Sequence, residues 1–194
     1  MTAVGLGCRV KSGYAVAVVV RGSRAAPEAV SRHVIQLSDP DVAETRQPYH
    51  RGFFTHEEDT RKIARLVKIV ERCAKQSVTA LVEELRRAPR HGRVRAALVV
   101  GSMIDPTQVG NPHIRAHANE GRLFRTVLES ALRGQGIDCD VIVEKQLAER
   151  AAKALRRPDG EIKRTLAAFG KALGGSWRAE EKAASTAAWL ALGN

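Results

Sequence analysis

Apolar positions along the chain follow two rhythms. Residues 3–10 (AVGLGCRV) and 13–20 (GYAVAVVV) are short β-rich runs on either side of Lys11-Ser12. The short link beside Gly13 suits a hairpin. The second run is small and β-branched, as expected of a strand buried on both faces. Gly22 to Glu28 is rich in turn formers, and Arg32 to Leu37 (RHVIQL) reads as the third strand of an antiparallel meander. The period then becomes helical. Ile63, Leu66, Val67, Val70, Ala74, Val78, Leu81, Val82 and Leu85 form one apolar stripe. Thr55, with Glu58 three residues on, reads as a capping box at the start of that helix. Pro89 and Gly92 end it.

Residues 93–101 (RVRAALVVG) follow as a strand that finishes in a Gly-Ser turn. Asn111 before Pro112 marks the start of a second helix, which continues to Arg133 and stops at Gly134 or Gly136. Residues 139–144 (CDVIVE) make a fifth strand. Helices 146–157, 160–173 and 178–192 complete the chain, broken by Pro158-Asp159-Gly160 and by Gly174-Gly175. Between the meander and the first helix, residues 38–55 shift to Asp, Pro, Gly and Tyr with little periodicity. This stretch reads as a long loop, and loops of that length are often functional. No internal repeat or low-complexity segment interrupts the pattern. At 194 residues the expectation is one α/β domain over 1–194, closing with the C-terminal helices 146–194. The order of elements implies one mixed sheet, a three-stranded antiparallel meander then parallel strands, with helices on both faces.

Composition narrows the partners. An apolar fraction of 44% supports a real core, and aromatics at 4% leave Val, Leu, Ile and Ala to fill it rather than to stack bases. Lys and Arg outnumber Asp and Glu by 32 to 21, a net charge of +11. Such a field attracts polyanions, so DNA or RNA is the first partner to consider. Arg as surface composition is the plainer alternative. Cys8, Cys73 and Cys139 are far apart, with no CxxC pair and no zinc spacing, and read as buried reduced thiols. The first residues lack a signal-peptide pattern, and no run approaches the ~20 apolar residues of a membrane span. The expected setting is the cytoplasm.

Two local stretches go with the element order. Gly5-Leu6-Gly7 opens the first hairpin, and Glu181 to Leu192 (EKAASTAAWLAL) is a closing helix of small residues. The order resembles the RNase H-like superfamily, most closely the Holliday-junction resolvase branch. The two stretches are similar to that branch's Gly-Ile-Asp-Pro-Gly first strand and its His-x-x-Asp-Ala last helix. The resemblance implies an RNase H-like mixed five-stranded sheet and an association with nucleic acid. Nucleases of this kind hold two divalent ions about 3.5–4 Å apart between carboxylates. The resemblance puts the first-strand Asp at Gly7, with Cys8 beside it, the fourth-strand Glu near Gly101 or Ser102, and the last-helix Asp near Ser185. None of these positions carries an acid here. By that resemblance the standard two-metal site is degenerate.

The most specific constellation elsewhere is His113, His117 and Glu120, spaced i, i+4 and i+7 on one face near a helix start. Imidazole and carboxylate together suit a divalent metal such as zinc or manganese, or an acid–base role. Asp105 lies in the loop leading into that helix, at the carboxyl end of a strand where open α/β sheets place ligands. Arg115 and Arg122 flank the helix start, whose N–H groups favour an anion. A solvated polar helix face is the bland alternative. Arg86, Arg87, Arg90, His91, Arg93 and Arg95 form the densest basic run, and Lys153, Arg156, Arg157, Lys163 and Arg164 form a second. Both suit phosphate contacts, and both also suit helix ends. Strand alternation puts Asp138, Asp140 and Glu144 on one face, a carboxylate cluster if they converge. Trp177 and Trp189 read as core or interface anchors. Phosphate loops of the GxxxxGK[ST] and GxGxxG kinds and the GxSxG nucleophile motif are absent.

Three functions remain open at this point. The chain is a nucleic-acid-associated RNase H-like protein without the usual acids, a metal-dependent hydrolase or nuclease with an unorthodox His/Glu site, or a protein-interaction module steered by its basic face.

Overall fold

A computed structural model of the chain describes residues 3–52, 55–87 and 92–193. Strands β1 (Ala3–Lys11), β2 (Tyr14–Gly22) and β3 (Pro27–Gln36) form the meander. A short hairpin, β4 (His50–Gly52) and β5 (Thr55–His56), precedes the long helix α1 (Thr60–Arg87). Then come β6 (Val94–Val100), α2 (Pro112–Gly134), β7 (Cys139–Val143), α3 (Glu144–Leu155), α4 (Asp159–Leu173) and α5 (Ala179–Ala191). The five-stranded sheet runs β3-β2-β1-β6-β7. Its meander pairs are antiparallel, and β1–β6 and β6–β7 are parallel, as the element order predicts.

Alternation along the strands divides the core into two layers. Leu6, Cys8, Ala17 and Val19 point to the side of α1 and α2, where Val70, Val78, Phe124 and Leu128 meet them. Val16, Val18 and Val20 point to the other side, against Leu166 and Phe169 of α4 and Trp189 of α5. The apolar stripe of α1 is buried as expected at Leu66, Val70, Ala74, Val78, Leu81 and Val82. Trp189 is fully buried and donates its indole N–H to the Arg24 carbonyl at 3.0 Å, which makes it a core anchor. Cys8 is buried as expected, whereas Cys73 and Cys139 are only half-buried; burial still holds all three thiols above their ordinary values, Cys139 up to about 12.

Four expectations are corrected. The hairpin turn is Ser12-Gly13, one residue later than predicted; Lys11 still pairs with Tyr14, and Gly13 takes a positive φ of 84°. Helix α1 does not start at Thr55. Asp59, immediately before the helix, accepts from the Arg61 and Lys62 amides at 2.9 and 3.0 Å, so the orphan donors are satisfied there and Thr55 is left to β5. The 38–55 stretch is not structureless. It holds a 3₁₀ turn at Ala43–Arg46 and strand β4, tied down by the buried Thr45 hydroxyl on the Val42 carbonyl at 2.6 Å. The acids around β7 do not converge. Asp138 pairs with Arg93 at 3.3 Å, and Glu144 opens α3 and takes two hydrogen bonds from Arg9 at 2.7 and 3.2 Å. The predicted stop at Pro89 lies outside the described residues. Asn111 caps α2 as expected, accepting from the Ile114 amide, with Pro112 at the first helical position.

The two layers meet β1 differently. Its even positions carry side chains toward α1 and α2, whereas Gly5 and Gly7 lie directly under α5. A Cβ on Gly7 would stand 1.9 Å from the Ala184 carbonyl oxygen and 2.3 Å from the Ala188 nitrogen; one on Gly5 would stand 2.0 Å from the Ala188 oxygen. Backbone rests on backbone there, so no side chain fits. Gly7→Ala is therefore expected to destabilise by about 3 kcal/mol or more, at or above the top of the ordinary overpacking range. Urea unfolding of the variant checks this, and a midpoint equal to that of the parent would contradict the packing.

Candidate functional site

Helix α2 begins above the carboxyl end of β6, after a loop whose short 3₁₀ turn (Pro106–Gln108) is capped by Asp105 accepting from the Thr107 amide. One helical turn separates His113 and His117, which brings their rings together, centroids 4.6 Å apart and Nε2 atoms 3.3 Å apart. Glu120, a turn further on, is buried. Tyr49 and His50 lie against it. Tyr49 packs against the main core, the Glu57 amide bonds the Tyr49 carbonyl at 2.9 Å, and His50 at the head of β4 enters beside α2.

His50 Nδ1 donates to Glu120 Oε1 at 2.6 Å, and the two side chains are 6% and 2% exposed. Its ring also meets His113 edge-on at 5.2 Å and His117 at 4.4 Å. The Nε2 atom of His50 is buried and, among the described residues, has no hydrogen-bond partner. His117 Nδ1 lies 3.9 Å from Glu120 Oε2. Each of the three rings offers one nitrogen to a common point, these atoms all lying within 4.8 Å of one another. Burial pushes the Glu120 carboxyl above its ordinary value, opposed by the His50 hydrogen bond and by the charges of His50 and His117. Burial first, then the charge of His50, holds His117 below its ordinary 6.5.

His117 and Glu120 line a cavity of about 230 Å³, together with Arg9, Lys11, Gly101 and Ser102. The cavity sits where the parallel strands β1 and β6 end. Imidazoles backed by a buried carboxylate on one wall and cations on the other suit an anionic ligand, a soft-donor metal, or proton exchange.

Of the predicted residues, the structure brings His113, His117 and Glu120 together and leaves Asp105 out of the cluster. Asp105 stands with Arg122 in a neighbouring cavity of about 280 Å³. The Thr107 hydrogen bonds hold its carboxyl below the ordinary value. His50 was missed. It lies 70 residues from Glu120 in sequence, and its only advance signal is membership of the long 38–55 stretch.

The basic residues do not form one stripe. Arg86, Arg87, Arg93 and Arg95 gather at the amino end of β6; Arg86 donates to the Gln135 carbonyl, Arg87 pairs with Glu83, and Arg93 pairs with Asp138. Arg115 and Arg122 stand at the other end, Arg115 holding the Val109 and Gly110 carbonyls at 2.8 and 3.1 Å. Arg156 caps α3 in the left-handed region, and Arg157 pairs with Glu161 and lies over the Trp189 ring at 5.6 Å. Arg156 and Arg157 line, with Arg150 and Lys153, an open basin of about 930 Å³. Arg90 and His91 lie outside the described residues.

A five-stranded mixed sheet of this order, with helices on both faces, is the RNase H-like fold. Two solved structures carry the likeness. Thermus thermophilus RuvC matches over 96% of this chain and 92% of its own, at 12% identity and a TM-score of 0.52. T. thermophilus RuvC in complex with a Holliday junction substrate matches over 97% and 92%, at 10% identity and a TM-score of 0.55. At these identities the likeness is one of fold. No protein-family model matches the chain, and no curated protein matches it. Among the described residues, no helix is long and apolar enough to cross a membrane.

The depressed His117 has a stability consequence. The unfolded chain protonates this histidine more readily than the fold does, so its contribution is complete above pH 6.5 and is lost as pH falls through the window just below. Glu120 works in the opposite direction in the window above its ordinary 4.5, since the fold protonates it more readily. Comparison with His117→Gln isolates the histidine, which faces His50, His113 and Glu120. Between about pH 7.5 and 5.5 the parent should lose more of its Tm than the variant does; equal losses would refute the assignment.

Proposed function

We propose that this chain is a nucleic-acid-binding protein, one α/β domain on a resolvase-type RNase H scaffold, that does not carry the two-metal nuclease centre. The observation behind the reading is the seal at Gly7. The position that resemblance gives to the first-strand acid has no room for a Cβ, let alone a carboxylate, beneath the Ala184 carbonyl. Gly101 and Ser102, at the fourth-strand position, and the buried Ser185, at the last-helix position, supply no acid either. A pair of magnesium ions is held mainly by carboxylates, and these positions offer none.

Binding is supported by the +11 charge, by Arg122 and Arg115 at the carboxyl end of β6, and by the basin around Arg150, Lys153, Arg156 and Arg157. RuvC, on the same fold, is seen with a Holliday junction substrate, so branched DNA is the first ligand to try. Three thiols outside any disulfide fit a reducing compartment, and we assign the protein to the cytoplasm.

Fluorescence anisotropy with labelled four-way junction, duplex and single-stranded DNA and RNA, at several salt concentrations, tests the reading. The affinity should fall with salt at about −0.9 in log–log slope for each phosphate neutralised. Junction DNA should remain intact with magnesium or manganese. Flat traces at low salt would remove the nucleic-acid half, and metal-dependent cleavage that EDTA abolishes would remove the other.

A second reading, a metal-dependent hydrolase, is favoured by one observation: the cavity that sets Arg9 and Lys11 opposite His117 and Glu120 can hold a phosphate beside the imidazoles. On that reading His113, His117 and Glu120 act directly and Asp105 supports the loop. Hydrolysis of a chromogenic phosphodiester should then appear with zinc or manganese and vanish in His117→Ala. Equal rates in both proteins would exclude it.

A further inference from the structure

We propose that His50, His113 and His117 bind a single transition-metal ion of the zinc type, with Glu120 acting on His50 from behind rather than as a ligand. The proposal does not depend on nucleic-acid binding. It stands on two independent features of the cluster.

The first is spacing. Zinc–imidazole bonds of about 2.0–2.1 Å set N···N edges of about 3.3–3.4 Å in a tetrahedral site. The Nε2 atoms of His113 and His117 stand 3.3 Å apart. The third donor falls within the 4.8 Å that spans the set, so modest ring rotation completes the face of a tetrahedron. Sequence spacing alone does not produce this, because the third ring arrives from β4, across the top of α2.

The second is the state of His50. Its side chain is 6% exposed, its Nδ1 is bonded to Glu120 at 2.6 Å, and its buried Nε2 has no hydrogen-bond partner among the described residues. A carboxylate on Nδ1 fixes the tautomer with the proton there and leaves a lone pair on Nε2, on a ring whose centroid lies 5.2 and 4.4 Å from those of His113 and His117. This is the arrangement by which outer carboxylates orient metal-bound histidines and raise their basicity. The donor set also selects the ion. Three imidazoles suit zinc, copper or nickel, whereas magnesium and calcium need oxygen ligands, and Glu120 is engaged by His50.

Three protein ligands leave one coordination position, which opens with the half-exposed His117 onto the cavity of Arg9 and Lys11. An exchangeable water or a small anion such as phosphate fits that position. Binding would also clip the β4–β5 hairpin to α2, two segments far apart in the chain, so the ion should stabilise the fold.

The test uses the untagged full chain, stripped with EDTA and dialysed, with zinc alone and cobalt(II) alone as probes. Competition against a chromophoric chelator should give one zinc per chain, and cobalt should give the intense visible bands of four-coordinate nitrogen ligation. The Tm should rise with zinc. His117→Gln, at the exposed ring and so least prone to misfolding, should abolish stoichiometric binding and the cobalt spectrum while far-UV CD stays that of the parent. Glu120→Gln should keep the one-to-one stoichiometry and weaken affinity by about 10–100-fold. His33→Gln, on the far side of the sheet's meander, should change nothing. A folded parent protein that takes up no zinc overturns the proposal, and so does His117→Gln binding zinc as the parent does; in either case the rings are a hydrogen-bonded cluster only. Loss of nucleic-acid binding in the parent would leave this result untouched, so the two failures are distinguishable.

Discussion

Helix α5 rests on β1 with no side chain between them at Gly5 and Gly7, and the other layers are arranged around this contact. Helix and strand meet through backbone atoms at Gly5 and Gly7, with Ala184 and Ala188 on the helix side. Close approach of this kind excludes side chains and leaves dispersion and shape to hold the pair. Its consequence is that α5 becomes a buried helix: from Ala183 to Ala191 every residue but Leu190 is buried. Helices α3 and α4 can then pack over α5 and the sheet margin, with Leu155, Leu166 and Phe169 closing the layer. Larger residues at positions 5 and 7 would meet the α5 backbone and force the helix away from the strand.

Periodic elements were legible in the sequence because their signals are local. The apolar stripe of α1 is set by side-chain angle along one helix, and the cap at Asn111-Pro112 by two adjacent residues; both stand in the structure as read. The cap at Thr55 was misread for an equally local reason. Two capping signals compete within five residues, and Asp59 wins because it sits next to the first turn, where the orphan amides are. The strand alternation that put Asp138, Asp140 and Glu144 on one face was sound geometry. It carried no information on the cations opposite, and Arg93 and Arg9 take two of these acids separately. His50 was beyond such reasoning altogether. Its role depends on how the 38–57 stretch folds back over α2, and no spacing rule links it to Glu120.

Charge behaves similarly. Clustering of arginines in sequence predicted basic surfaces, and the fold disperses them to three places. Many of these guanidinium groups have internal work: Arg115 closes the loop before α2, Arg157 braces Glu161 and Trp189, and the buried Arg9 ties β1 to the start of α3. Exposed pairs such as Arg93–Asp138 contribute little to stability, roughly 0–1 kcal/mol. Arg9 is different. Its side chain is 10% exposed and satisfied by Glu144 and the Val10 carbonyl, so truncating Glu144 would leave a buried guanidinium without its counter-charge.

Arg9 also explains why the histidine cluster lies where it does. Beyond Gly7 side chains return at Arg9 and Lys11, with Lys11 paired to Glu180 in the first turn of α5 at 3.5 Å, and the parallel strands β1 and β6 finish beside the turn at Ser12-Gly13 and the loop at Gly101. Open sheets leave a crevice at such carboxyl ends. Here one wall of the crevice is cationic, from Arg9 and Lys11, and the opposite wall is α2, presenting His117 and Glu120. A buried carboxylate there is costly on its own, and burial raises its proton affinity; the His50 hydrogen bond offsets part of that cost and fixes His50 in return. The result is a fixed imidazole ring packed against two others, beside a cavity whose cations Arg9 and Lys11 are paired with Glu144 and Glu180. Gly5 and Gly7 let α5 close the sheet centre from one side, while the ends of β1 and β6 stay open beside α2 on the other.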